Sequence, residues 1–187
     1  MILVISGLSC AGKDTAQDYL ATKGWDFIVS TTSRPIRPNE IEGKNYFFVS
    51  SDDFKQKISN GEMLEYRTYN TKLRGVDDVW YYGVEKKNVP LEKNVICVLD
   101  PIGYEAFVNE FGKDKVKLLW IDLDDELRRE RNIARLDYDE TEFNRRTATD
   151  KSYFLELREK CDYLIDNSLS FDNLYRLLDI LHSQITH

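Results

Sequence analysis

The chain has 187 residues, 42% apolar and 32% charged, which is enough to bury the core of about one domain and too apolar for a collagenous or wholly disordered chain. Its 26 Lys and Arg are outnumbered by 33 Asp and Glu, and a net charge of −7 argues against non-specific attachment to nucleic acid or an anionic membrane, both of which need a cationic field. The longest apolar runs, such as Val95-Ile96-Cys97-Val98-Leu99, are about five residues where a membrane span needs ~20; three cysteines without CxxC spacing and two C-terminal histidines offer no disulfide framework, zinc cluster or Ser-His triad.

Short β-branched runs alternate with longer charged, amphipathic segments, the pattern of βα units around a parallel sheet. The first strand is predicted at 2–6 (ILVIS), and no cationic segment precedes it, so a signal peptide is not expected. Reduced thiols and a cytoplasmic location are expected instead. GLSCAGKDT follows: Gly7, four residues, Gly12, Lys13, between a strand and a helix predicted over 13–22. Such glycines let successive N–H groups, here those of Ser9, Cys10 and Ala11 among them, curl inward around phosphates. The helix adds its positive N-terminal end, and Lys13 reaches the β- and γ-phosphates. The alternative is a glycine-rich turn with an incidental lysine. Where a hydroxyl normally meets Mg²⁺, this chain has Asp14, followed by Thr15. A carboxylate is a good Mg²⁺ ligand, and the sequence leaves open which of the two serves.

A strand at 26–29 leads into STTSRPIRPNEIEGKNYFFVSSDDF, beginning at Ser30. Arg34, Arg37 and Tyr46 in this stretch, two guanidinium forks and a phenol, can clamp a dianionic phosphate; a solvated basic loop is the alternative. Residues 31–88 carry alternating and aromatic-rich pieces, expected to form a small antiparallel subdomain with one short helix after Ser51-Asp52. Strands at 95–99, 116–121 and 162–165, with helices over 102–111 and 171–184, complete a core of about 1–30, 89–123 and 159–187. The intensely charged 124–158 reads as helices with little core of their own. Arg131 and Arg135 stand four apart there, on one helical face, and Arg146 lies in a following helix; a solvated face is the alternative.

The phosphate loop, the block from Ser30 to Glu65, and the GEMLEY and YYGV segments together resemble the guanylate kinase family, and the likeness runs through most of the chain. The resemblance implies an α/β fold: a three-layer α/β/α P-loop NTPase core with a parallel sheet, a small inserted NMP-binding subdomain and a helical lid. It implies phosphoryl transfer from ATP, with Mg²⁺, to GMP or dGMP. Arg34, Arg37, Tyr46 and Tyr82 would hold the acceptor phosphate, and Ser30 and Glu65 would face the guanine edge. Asp100, in DPIG, would lie near acceptor and metal. Asn167, in Asp166-Asn167-Ser168, would sit beside the donor adenine, while Arg131, Arg135 and Arg146 would be lid arginines that reach the moving group with Lys13. Two departures bear on specificity: Val84 stands where the family usually has Ser, and the loop at 66–81 is longer than expected. They keep open a kinase of broader (deoxy)nucleoside monophosphate choice, or one acting on a ribosyl phosphate. A non-catalytic binding module is the rival of another class, although such modules tend to lose the loop and arginines retained here. Nucleotides are the expected partners, with no nucleic acid or membrane, in a monomer or homodimer.

Overall fold

The structure, a computed structural model, describes residues 1–37, 40–73, 76–134, 140 and 154–186. A five-stranded parallel sheet is ordered β2-β7-β1-β8-β9: β1 (Ile2–Ser6), β2 (Asp26–Phe27), β7 (Val95–Val98), β8 (Val116–Asp122) and β9 (Tyr163–Asp166). Its three central strands, β7, β1 and β8, are largely apolar on both faces because both are covered. Ile2 and Val4 point with Val95, Cys97, Leu118 and Trp120 to one layer, where α3 (Pro101–Phe111) adds Tyr104 and Phe107, and α5 (helical residues 154–159) adds Leu157. Leu3 and Ile5 point the other way with Ile96, Leu119 and Ile121, onto Ala16 and Leu20 of α1 (Lys13–Ala21) and Leu174, Leu178 and Leu181 of α6 (Phe171–Thr186). That period-two division of one apolar strand produces the three layers. The predicted strand at 26–29 stops at Phe27. Ile28 still donates to the Ile96 carbonyl (2.9 Å), and the chain then leaves the sheet edge.

A second sheet, ordered β4-β3-β6-β5, comprises β3 (Thr31–Thr32), β4 (Phe47–Phe48), β5 (Met63–Leu73) and β6 (Val76–Glu85), with α2 (Ser51–Ser59) beside it. It is mixed rather than purely antiparallel, since β3 and β4 pair in parallel. Nor is 66–81 a loop: β5 and β6 form one long hairpin whose ladder continues from Glu65↔Val84 through Arg67↔Tyr82 and Tyr69↔Trp80. Phe54 of α2 packs on Tyr81, on one face of this hairpin (ring centroids 5.4 Å), and Lys57 of α2 pairs with buried Glu85 (2.8 Å). Glu85 also accepts from Thr31 and pairs with Lys87; burial pushes its carboxyl upward, but these partners outweigh that and hold it at about 2. The hairpin is thereby fixed to β3 and α2 and presents its opposite face toward the carboxyl end of the first sheet. Helix α4 (Asp125–Ile133) follows β8. No helix among the described residues is long and apolar enough to cross a membrane.

Candidate active site

The carboxyl ends of β1, β7 and β9 deliver three groups to one edge: the loop from Gly7, Asp100 and Asn167. In open α/β sheets this edge is where ligands bind. Gly7 (φ 149°) runs so close to β8 that a Cβ there would lie 2.5 Å from the Ile121 carbonyl oxygen. Gly12 (φ 100°) likewise leaves no room, its imagined Cβ being 2.5 Å from Asn167 Nδ2. Asn167 is buried and ties the loop down, donating from Nδ2 to the Ala11 carbonyl (2.8 Å) and from its backbone N–H to Asp122 (2.9 Å). Helices α2, α3 and α4 are capped by the side chains of Ser50, Asp100 and Asp124, whereas α1 begins at Gly12 with no side-chain cap. The amides of its first turn are thus presented to an external anion. Lys13 Nζ arches over the loop and donates to the carbonyls of Gly7 (2.8 Å) and Leu8 (2.9 Å).

Cys10, Gly12, Lys13, Asp14, Thr15, Arg131 and Phe171 line one cleft. Arg131 donates to the Asn167 carbonyl (2.9 Å) and lies over the Phe171 ring (5.8 Å). Ser9 lends its carbonyl to Arg128, which is buried and also pairs with Asp125. Arg135 and Arg146 lie outside the described residues.

Across the site, Arg34 is 4% exposed and its fork is held by Glu40 (2.6 and 2.9 Å) above the rings of Tyr46 (5.6 Å) and Phe48 (5.7 Å). Burial alone would lower its affinity for a proton, but Glu40 outweighs it and raises the guanidinium further; Arg34 in turn holds the Glu40 carboxyl below the ordinary range. Arg37 joins through its backbone N–H on Glu40 (2.8 Å). Tyr46 meets Tyr82 edge to face (6.0 Å), and Tyr82 meets Tyr69 (5.4 Å). Ser30 enters the cluster through its carbonyl, which accepts from Phe47 (2.9 Å). This is a basic and phenolic pocket, suited to a phosphate.

Glu65 lies on the inward face of β5, its side chain 7% exposed. Burial and the nearby Asp100 charge push its carboxyl up to about 7, against the opposing pull of Arg67 and the Val84 amide. Val84, opposite Glu65 in the ladder, is fully buried. Both Asp100 oxygens are engaged, by Arg67 (2.8 and 2.9 Å) and by the Gly103 amide it caps (2.8 Å). That arrangement lets Asp100 position Arg67 and cap α3. Asp14, on the cleft wall, fits Mg²⁺, which takes one or two carboxylates alongside phosphates and water. Among the described residues no group of three or more acidic, His or Cys side chains forms a metal cage.

The two halves adjoin: Arg67 of the hairpin holds Asp100 at the end of β7 (2.8 Å), and Ser6, at the end of β1, donates from Oγ to the adjacent Leu99 carbonyl (2.8 Å). Tyr46 is pushed upward by burial first and by Tyr82, and the Asp14 carboxylate of the phosphate loop adds to the shift. Sequence reasoning passed over Glu40, which orients Arg34, and Phe171, on the cleft wall. It also passed over Arg67, whose only advance signal is its position two residues after Glu65 on a strand.

A model of the guanylate kinase family matches residues 1–184. Among curated proteins, the chain is 39% identical over 103 residues to guanylate kinase from Lactobacillus acidophilus, covering 51% of this chain and 49% of that one. It is 36% identical over 142 residues to guanylate kinase from Symbiobacterium thermophilum, covering 72% and 63%. The matches to these curated relatives therefore span from about half to 63% of their length. The crystal structure of guanylate kinase from Anaplasma phagocytophilum superposes with a TM-score of 0.64 at 26% identity, covering 98% of this chain and 85% of that one.

Proposed function

The chain belongs to the guanylate kinase family, and from that premise we propose that it transfers the γ-phosphoryl group of ATP to GMP or dGMP, giving ADP and the nucleoside diphosphate. The observation that carries this reading is an uncapped, glycine-built phosphate loop at the end of β1 together with a hairpin that bears a second anion pocket and is tied by Arg67 to Asp100 at the end of neighbouring β7 (2.8 and 2.9 Å). Two phosphate sites on one side of the sheet suit transfer between phosphates rather than hydrolysis.

The loop amides and Lys13 hold the β- and γ-phosphates of ATP, while Arg34, Arg37, Tyr46 and Tyr82 hold the acceptor phosphate. Lys13 needs only to swing from the Gly7 and Leu8 carbonyls it now binds to reach an incoming anion. Arg131, anchored on Asn167, is placed to neutralise charge spreading over the transferring group; Arg135 and Arg146 are proposed to join it. Asp14 or Thr15 would hold Mg²⁺, which would supply charge neutralisation to the phosphates. No general base is required, because a phosphate monoester with a second pKa of about 6 is already a dianionic nucleophile near pH 7. Glu65 accepts from guanine N1–H and the 2-amino group, two donors that adenine lacks at those positions.

A coupled ADP-release assay across ribo- and deoxyribonucleoside monophosphates tests the reading. The highest kcat/KM is expected with GMP or dGMP, and equal rates for all acceptors, or none, would overturn it. Arg34→Ala is expected to raise the acceptor KM by about 10- to 100-fold, the loss of one or two charge-assisted hydrogen bonds, with the KM for ATP changed less than about threefold. Steady-state kinetics with each substrate varied in turn checks this, and an equal rise in both KM values would count against it.

A further inference from the structure

A guanine presents three groups in a row along one edge: the 2-amino donor, the N1–H donor and the O6 acceptor. A carboxylate can take the first two, and the third needs a donor beside that carboxylate. Val84, facing Glu65 across the ladder, has only methyl groups to offer. Arg67, however, stands on the same face of β5 as Glu65, with NH1 3.4 Å from a Glu65 oxygen.

We infer that Arg67 reads the O6 edge of the guanine acceptor, and that Glu65 and Arg67 together, as adjacent acceptor and donor, set the base specificity of this site. The inference rests on the proposed guanylate kinase activity and deepens it.

The guanidinium is built for such a task. Its Nε and NH2 grip the two oxygens of Asp100 (2.9 and 2.8 Å), and NH1 donates to the Tyr66 carbonyl. A guanidinium has five N–H groups. Three are used in these bonds, so one on NH1 and one on NH2 remain, and NH1 is the nitrogen paired with Glu65 (3.4 Å). Asp100 is itself fixed as the cap of α3, so the fork is oriented from the core sheet rather than from the hairpin alone. The side chain is only 19% exposed, which leaves little rotational freedom to lose on binding. Arginine donating to guanine O6 is a favourable pairing. With adenine both contacts invert: Glu65 would face the N1 lone pair and Arg67 the N6 amino group. Discrimination therefore comes from repulsion as well as attraction.

The test compares kcat/KM for GMP, IMP and AMP in wild type, Arg67→Ala and Arg67→Met, the last keeping the alkyl stem packed. IMP lacks the 2-amino group but keeps O6, so the GMP-to-IMP ratio reports Glu65 and the GMP-to-AMP ratio reports Glu65 and Arg67 together. In both variants the GMP-to-AMP ratio is expected to fall about tenfold or more, the worth of one good base contact, with the GMP-to-IMP ratio and the KM for ATP unchanged. Adding Val84→Ser to Arg67→Ala is expected to return part of the lost ratio, a hydroxyl then facing Glu65. A GMP-to-AMP ratio that holds at the wild-type value in either folded variant would overturn the inference. So would a GMP-to-IMP ratio that falls in parallel, which would mark Arg67 as structural support only. Failure of the wild type to phosphorylate GMP would instead overturn the kinase reading itself.

Discussion

Lys13→Ala is expected to lower kcat by about 100- to 1,000-fold, the usual consequence of deleting one preorganised donor to a transition-state anion. The expectation follows from where the ammonium rests. It lies 2.8 and 2.9 Å from two carbonyls of the loop proposed to curl around the phosphates, so on that reading it would contribute charge where negative charge shifts from donor to acceptor. The fold should survive. Lys13 is the first residue of α1, on the wall of an open cleft, while the buried side of that helix is carried by Ala16 and Leu20. Stopped ADP-release assays together with a thermal unfolding midpoint separate the two effects. A variant that keeps its midpoint and its turnover would remove Lys13 from the chemistry.

Glu65→Gln is expected to raise the KM for GMP by about 100-fold while leaving that for ATP within a factor of about three, since two hydrogen bonds to a charged acceptor, each worth about 1.5–3 kcal/mol, become at best one neutral bond. The carboxyl, pushed up to about 7 chiefly by burial, adds a pH signature. Only the ionised form accepts from both N1–H and the amino group, so the wild-type KM for GMP should climb as pH falls through about 7, and the Gln variant should keep only the later rise set by the GMP phosphate, whose second pKa is about 6. The stability sign runs the other way. The folded value lies above the ordinary 4.5, so the contribution of Glu65 to the free protein is complete below 4.5 and is lost as pH rises through about 7. At pH 8 the Gln variant, which has no charge to bury, should therefore melt no earlier than wild type. A pH-independent wild-type KM for GMP, or a KM for ATP that moves with it, would contradict the assignment of Glu65 to the base.

Much of the core can be read from sequence because its causes are local. Strands covered on both faces must be continuously apolar, and the segments ILVI, VICV and LLWI are. The phosphate loop leaves a fingerprint because Gly7 and Gly12 adopt backbone angles, and meet neighbours at distances, that a side chain would not permit. The long hairpin is hidden for the opposite reason. RTYNTKLRGVDDVW has polar residues on both faces and lacks the alternation that marks a strand against a core. Within it, aromatic contacts such as Tyr69 on Tyr82 accompany the ladder. Reading that stretch as a loop conceals Arg67, whose partner Asp100 is 33 residues away and reaches it only because β7 ends beside the hairpin. Glu40 is missed similarly, since nothing local states that it will hold the fork of Arg34.

Binding of one molecule that joins adenosine and guanosine through five phosphates probes most directly whether the loop at Gly7 and the pocket at Arg34 form a single, continuous phosphate path. Titration calorimetry should give one site per chain and a Kd at least about 100-fold below that of ATP or GMP alone, as expected when the second contact becomes intramolecular. An affinity no better than that of ATP would mean that the two anion sites do not face each other across one cleft.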